Sequence, residues 1–231
     1  KRAKPDAHIH GQRCKACSLV EICQPALLGK DRLAGYVEGL FGEDKVFNSI
    51  KYNIGGYSME YKINIYEVDV DNKNRFALGS LSENTLFVFG VNPSTADDKK
   101  PDQTISKVMG FAEHNDYKSF VMFNLYPQRA INPNDLADKM NEGLLNINID
   151  IITNILSKRE KVDILLTWGD VIFSRGYLYE CMRKIYDEIS ALNIPVTWLR
   201  IGSLTAKNQP RHPSRPAYQS FQIMDMENYL K

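Results

Sequence analysis

Residues 85–98, Thr-Leu-Phe-Val-Phe-Gly-Val-Asn-Pro-Ser-Thr-Ala-Asp-Asp, restrict the possible folds of this chain more than any other stretch. From Leu86 to Val91 the side chains are apolar, with β-branched and aromatic residues prominent, which is the composition of a strand buried on both faces as in a parallel sheet. Polarity then changes within one residue. Asn92, Pro93, Ser94 and Thr95 leave the sheet at the carboxyl end of that strand, the edge where open α/β sheets bind ligands. Asp102, after Pro101, is placed to cap a helix over about residues 103–114. This strand, polar turn and helix make the expected functional site.

The same rhythm recurs downstream. Apolar runs at 119–124, 162–168 and 196–201 read as strands, separated by helical patterns at about 134–159 and 170–192. In the first of those helices Leu144, Leu145, Ile147, Ile151, Ile152 and Ile155 supply the apolar face. Strands alternating with helices of this length imply βαβ units, hence an α/β three-layer sandwich with a mostly parallel central sheet. Upstream, the period shortens to two. Residues 46–54 and 58–70, joined by Gly55 and Gly56, read as an antiparallel hairpin on the sheet edge, and 75–79 as another short strand.

A chain of 231 residues, 43% apolar and 10% aromatic, is enough for one sizeable domain with an appendage. Its 29 basic and 28 acidic residues leave a net charge of +1, so any contact with nucleic acid must come from a local patch. No apolar run reaches the ~18 residues of a membrane span, and the cytoplasm is the expected compartment. Three of the four cysteines, Cys14, Cys17 and Cys23, cluster near the N-terminus, a pattern that in a reducing compartment points to a zinc ion or an iron–sulfur cluster. Three free thiols, or a zinc knuckle completed by His8 or His10, are the alternatives. The expected boundary falls between a Cys-rich segment with a linker helix, 1–44, and an α/β domain, 45–231.

Three resemblances add to this reading. The spacing Cys14-x2-Cys17-Ser-Leu-x3-Cys23-x-Pro25 resembles the iron–sulfur tail of the CRISPR-associated RecB-like nucleases, which implies a 4Fe-4S cluster and a CRISPR-type nuclease as partner. In order along the chain, Gly90-Val-Asn92-Pro93-Ser94, Phe123-Asn124, Trp168-Gly169 and His212-Pro-Ser214 resemble the uracil-DNA glycosylase superfamily. Asn92 to Asp97, Asp102-x-Thr104, Asn124-Leu125, Trp168-Gly169 and Gln209-Pro-x-His212-Pro213 closely resemble the domain-of-unknown-function family 1643 over about residues 47–218.

The glycosylase resemblance implies roles. Asn92 would orient a water and His212 would donate to the departing base, forming the catalytic pair. Gly90, Pro93, Ser94, Thr95, Asn124, Trp168, Gly169 and Ser214 would surround the base and its phosphates, with Asn124 reading a base edge. Lys207, Arg211 and Arg215 would supply the local positive patch on a nucleic acid. Asn92 replaces the carboxylate of the most active uracil enzymes and cannot serve as a general base at neutral pH, so turnover would be slow. No leucine wedge follows Ser214, and Tyr218 is the aromatic available in its place.

Plainer accounts exist for each residue taken singly. An asparagine before proline is an ordinary turn residue, and Trp168 an ordinary core residue. His212 suits a solvated loop. Asp97, Asp98 and Asp102 are explained by turns and a cap as readily as by a metal. The polar tips acquire meaning together, because a doubly wound sheet gathers successive strand ends.

Overall fold

The computed structural model describes residues 59–231. Cys14, Cys17 and Cys23, the linker helix, the first strand of the expected hairpin and the boundary at 44 lie outside the described residues.

Among the described residues seven strands form one sheet: β1 (Ile65–Val68), β2 (Arg75–Gly79), β3 (Thr85–Gly90), β4 (Ser119–Asn124), β5 (Val162–Leu166), β6 (Val196–Ile201) and β7 (Phe221–Ile223). Their spatial order is β1-β2-β4-β3-β5-β6-β7. The central quartet β4-β3-β5-β6 is parallel. β1, β2 and β7 pair antiparallel, so half of the pairings depart from the mostly parallel sheet that the sequence suggests, and the sheet is mixed. Of the described part of the expected 58–70 strand only β1 forms a strand, and its partner is β2.

Parallel strands must be covered on both faces, and alternation along each strand provides for this. Phe87, Phe89, Val121, Phe123, Ile164 and Leu166 point to one face, where helices α2 (Glu142–Leu156) and α3 (Leu178–Ser190) pack through Leu145, Ile152, Met182 and Ile185. Leu86, Val88, Phe120, Met122 and Leu165 point to the other, where α1 (Gln103–His114) packs through Ile105, Val108 and Phe111. Each such side chain contributes roughly 1.5–3 kcal/mol when fully buried. That makes β3, buried along its whole length, the anchor of the sheet.

Two helices differ from expectation. The pattern at 170–192 is broken: a 3-10 helix, Gly169–Ser174, ends at Arg175, whose backbone is extended, before α3 begins at Leu178. The Arg175 guanidinium donates to Leu136 O, holding the break in place. In α2 the buried positions are Leu145, Asn148, Ile152 and Leu156, whereas Ile147 is 49% exposed. Asn148 occupies a core position because its Nδ2 donates to Asn124 O at 2.9 Å. A short helix α4 (Met226–Tyr229) ends the chain.

Among the described residues no helix is long and apolar enough to cross a membrane. No group of three or more His, Cys, Asp or Glu residues there is placed to hold a metal ion.

Candidate functional site

β3 connects to β4 on one side of the sheet and β5 connects to β6 on the other, so the loops after β3 and β5 diverge and leave a crevice between them. A cavity of about 270 Å³ opens there. Gly90, Val91, Asn92 and Ser94 come to it from the end of β3, Asp102, Thr104 and Ile105 from the start of α1, Trp168 and Val171 from the end of β5, and His212 from the late loop. Met122 and Arg75 lie at its floor, and Ala130, Ile131 and Pro133 on its remaining side.

Asn92 is half-buried and its amide nitrogen is spent: Nδ2 donates to Pro93 O at 3.0 Å and to Ala130 O at 2.8 Å. Its Oδ1 accepts no hydrogen bond from the described residues. The turn that follows is held by its carbonyls. Arg129 donates to Ser94 O at 2.6 Å and to Ala96 O at 3.1 Å, and Arg75 donates to Ala96 O at 3.0 Å. Every peptide here is trans, so the Thr95 N–H points away from Arg129, and neither it nor the Ser94 N–H has an acceptor among the described residues. Pro93 is buried and Thr95 exposed, and neither lines the cavity.

His212 is brought to the site by a glycine. Gly169 adopts φ +58°, a left-handed conformation that other residues enter at a cost, and its N–H donates to Pro210 O at 2.9 Å. A Cβ at this position would lie 3.3 Å from His212 Cβ. The late loop therefore closes directly on the bare backbone of Gly169. Ser214 N donates to His212 Nδ1 at 3.3 Å, and Ser214 Oγ lies 2.9 Å from the same nitrogen. With Nδ1 acting as acceptor, the ring hydrogen resides on Nε2. Burial pushes the imidazole pKa below its ordinary value, with Asp102 opposing and Arg215 reinforcing the shift, so the ring is neutral at pH 7.

Trp168 forms a rigid wall. Its Nε1 donates to Gln209 Oε1 at 3.2 Å and to Tyr229 Oη at 3.3 Å, which also ties α4 to the site. Gly90 keeps the floor open, since a Cβ there would meet Met122 Cε at 2.7 Å and Asn124 Nδ2 at 3.0 Å. Asn124 itself does not line the cavity. It lies behind the floor, 1% exposed, with Oδ1 3.5 Å from an Nη of Arg75 and with Nδ2 unpartnered.

The expected positive patch is partly tied down. Arg211 donates to Ser203 O at 2.7 Å, and Lys207 lies over the Phe173 ring, 5.6 Å from its centre. Arg215 is exposed close to His212. Tyr218 is packed on α1, edge-on to Phe111 at 4.9 Å and over Gly110, so it is not displayed as a wedge. Asp102 accepts from Ile105 N at 2.9 Å as a helix cap, and Asp97 accepts from Lys99 N and Lys100 N in a turn, in line with the plainer reading of both.

Arg75 carries no sequence motif and opens an apolar strand, so nothing in its local pattern marks it as part of the site. Only the antiparallel placement of β2 beside β4 reveals it.

Fold and site together define a mixed α/β domain with a ligand-sized pocket at the switch point of its sheet. The chain belongs to the family described as "Protein of unknown function (DUF1643)", whose model matches residues 75–214. No curated protein and no solved structure matches it.

Proposed function

We propose that this protein is an N-glycosidase built on a three-layer sandwich of the uracil-DNA glycosylase kind, hydrolysing the bond between a base and its sugar in a nucleic acid or a nucleotide. One observation carries the reading: Asn92 and His212, 120 positions apart, line one cavity with complementary groups to spare, an acceptor Oδ1 on one and a donor Nε2–H on the other. Cleavage sends the electron pair of the C1′–N bond onto the base while a water oxygen adds to C1′. The departing base must be stabilised as an anion and the water must be aimed. Asn92 Oδ1 accepts a hydrogen bond from that water but takes no proton, so the water's proton leaves to solvent or to the base. Neutral His212 donates to the base oxygen as negative charge grows. Trp168 forms a flat apolar wall beside the base, and Arg215 with Lys207 draws in the phosphate backbone.

Binding without cleavage is the second reading. It is favoured by the absence of an ionisable group at Asn92. Oligonucleotides containing uracil, hypoxanthine or mismatched thymine, incubated with the protein and assayed for abasic sites, separate the two. Release that disappears in Asn92→Ala and His212→Gln identifies the enzyme. Retention of the same oligonucleotides without cleavage identifies the binding module. Cluster or zinc binding by Cys14, Cys17 and Cys23, and association with a CRISPR-type nuclease, stay as proposals on the sequence resemblance alone, tested by iron, sulfide and zinc analysis of the full chain.

A further inference from the structure

Beneath the cavity lies a positive charge that the described fold does not neutralise. Arg75 is 2% exposed, yet it lines the pocket. None of the ion pairs among the described residues includes it. One Nη donates to Ala96 O at 3.0 Å, the other reaches Asn124 Oδ1 only at 3.5 Å, and Nε has no acceptor. Beside it, Asn124 Nδ2 is a second buried donor without an acceptor. The neighbouring cation makes matters worse, because Arg129 donates to the same Ala96 carbonyl and repels Arg75. Asp102 favours the charge from a distance, but it turns an oxygen to the Ile105 N–H and makes no ion pair with Arg75. Burial, followed by Arg129, lowers the pKa of Arg75 to about 10, which leaves it charged at neutral pH.

An ion removed from water without a partner is strongly disfavoured, and two buried donors are left unsatisfied with it. A bound anion in the cavity gives the guanidinium a counter-charge and so offsets the first of these penalties. The nature of the anion follows from the donors that line the cavity and that the base chemistry leaves free: the Arg75 guanidinium and the Ser94 and Thr104 hydroxyls, which have no partner among the described residues. A carboxylate offers two oxygens to this set, whereas a phosphate offers more, and its charge suits a buried guanidinium. We infer that the pocket takes a phosphate-bearing ligand whose charge is matched by Arg75, so that a nucleotide, not a neutral base or nucleoside, is the molecule it selects. The choice of a nucleotide rests on the function proposed above; the anion site does not.

The test is calorimetry and thermal melting of the full chain at constant ionic strength, with inorganic phosphate, uridine 5′-monophosphate, uridine and short oligothymidylate as probes. Phosphate and the monophosphate should raise the melting temperature, and uridine should not. A response to phosphate and the monophosphate but not to oligothymidylate assigns a free nucleotide, and a response to oligothymidylate as well assigns the phosphodiester of a strand. Arg75→Met should weaken monophosphate binding roughly 30-fold or more, the loss expected when one partner of a buried charge pair is removed. Asn124→Asp places a carboxylate beside the guanidinium within nearly the same volume. It should raise the melting temperature of the unliganded protein and abolish the phosphate response. Wild-type binding of uridine as tight as that of the monophosphate overturns the inference, as does an Asn124→Asp variant that still responds to phosphate. The inference stands apart from the glycosidase reading: Arg75-dependent phosphate binding with no base released from any substrate keeps the anion site and removes the enzyme, and base release that is unchanged in Arg75→Met does the reverse.

Discussion

Replacing Gly169 by alanine tests whether the late loop is held in place by a missing side chain. At φ +58° an alanine meets the left-handed penalty of about 1–2 kcal/mol, and its new methyl group sits 3.3 Å from His212 Cβ and 3.5 Å from His212 N. The lower entropy of the unfolded alanine chain offsets about 0.4–1 kcal/mol of this. The loop can relieve the methyl contact by moving a few tenths of an ångström. With the residual methyl contact, a net destabilisation of about 0.5–1.5 kcal/mol is expected, which lowers the melting temperature of a domain this size by roughly 1–6 °C. Urea unfolding, followed by far-UV circular dichroism, measures it. Asparagine tolerates the left-handed conformation, so Gly169→Asn should recover part of the stability while keeping the methylene against His212. Displacement of the imidazole should weaken pocket binding in both variants. An alanine variant within ~0.3 kcal/mol of wild type, well below the left-handed cost alone, would refute the reasoning.

Acidification should weaken the fold through His212. Its folded pKa lies below the unfolded value, so the unfolded chain binds the extra proton first, and stability falls as pH drops below about 6.5 until the folded pKa is passed. His212→Gln should remove that part of the slope when wild type and variant are melted between pH 7.5 and ~5; identical slopes would exclude the histidine as its source. Arg129 clamps the turn after β3 through Ser94 O and Ala96 O and also reaches Tyr66 Oη at 2.8 Å and Asn72 Oδ1 at 3.1 Å. Arg129→Ala should therefore cost about 2–3 kcal/mol and raise amide exchange over residues 92–98. Unchanged exchange there would show that the turn holds itself.

The parallel core was legible because β3, β4 and nearly all of β5 are buried on both faces, so the runs at 86–91, 119–124 and 162–168 are apolar and bounded by turn residues; β6, with Thr197 exposed and only Leu199 and Ile201 buried, showed through the apolar residues of 196–201 alone. Asp102 announced α1 through its capping position, and the cap is present. β7 gave no signal, since it has three residues and two of them are exposed. Asn148 broke the apolar rule of α2, because a side chain bonded to a distant carbonyl can be buried without being hydrophobic. For the site, the tips at Asn92, Trp168 and His212 were readable as strand-end punctuation, and they meet around one cavity. Asn124 shares that edge, but it faces Arg75 behind the floor, a difference set by side-chain direction and invisible to spacing. Arg75 itself could not be found from sequence, since its significance lies in what surrounds it after folding.

The chain has two tryptophans, and they occupy unlike surroundings. Trp168 forms part of the cavity with its indole N–H fixed, whereas Trp198 lies on β6 against Tyr186, 5.5 Å between ring centres, and does not line that space. The protein thus contains an intrinsic fluorophore in the wall of the cavity. With Trp198 changed to phenylalanine, emission near Trp168 becomes a single-site optical gauge of filling, so affinities and residence times can be followed without attaching a dye.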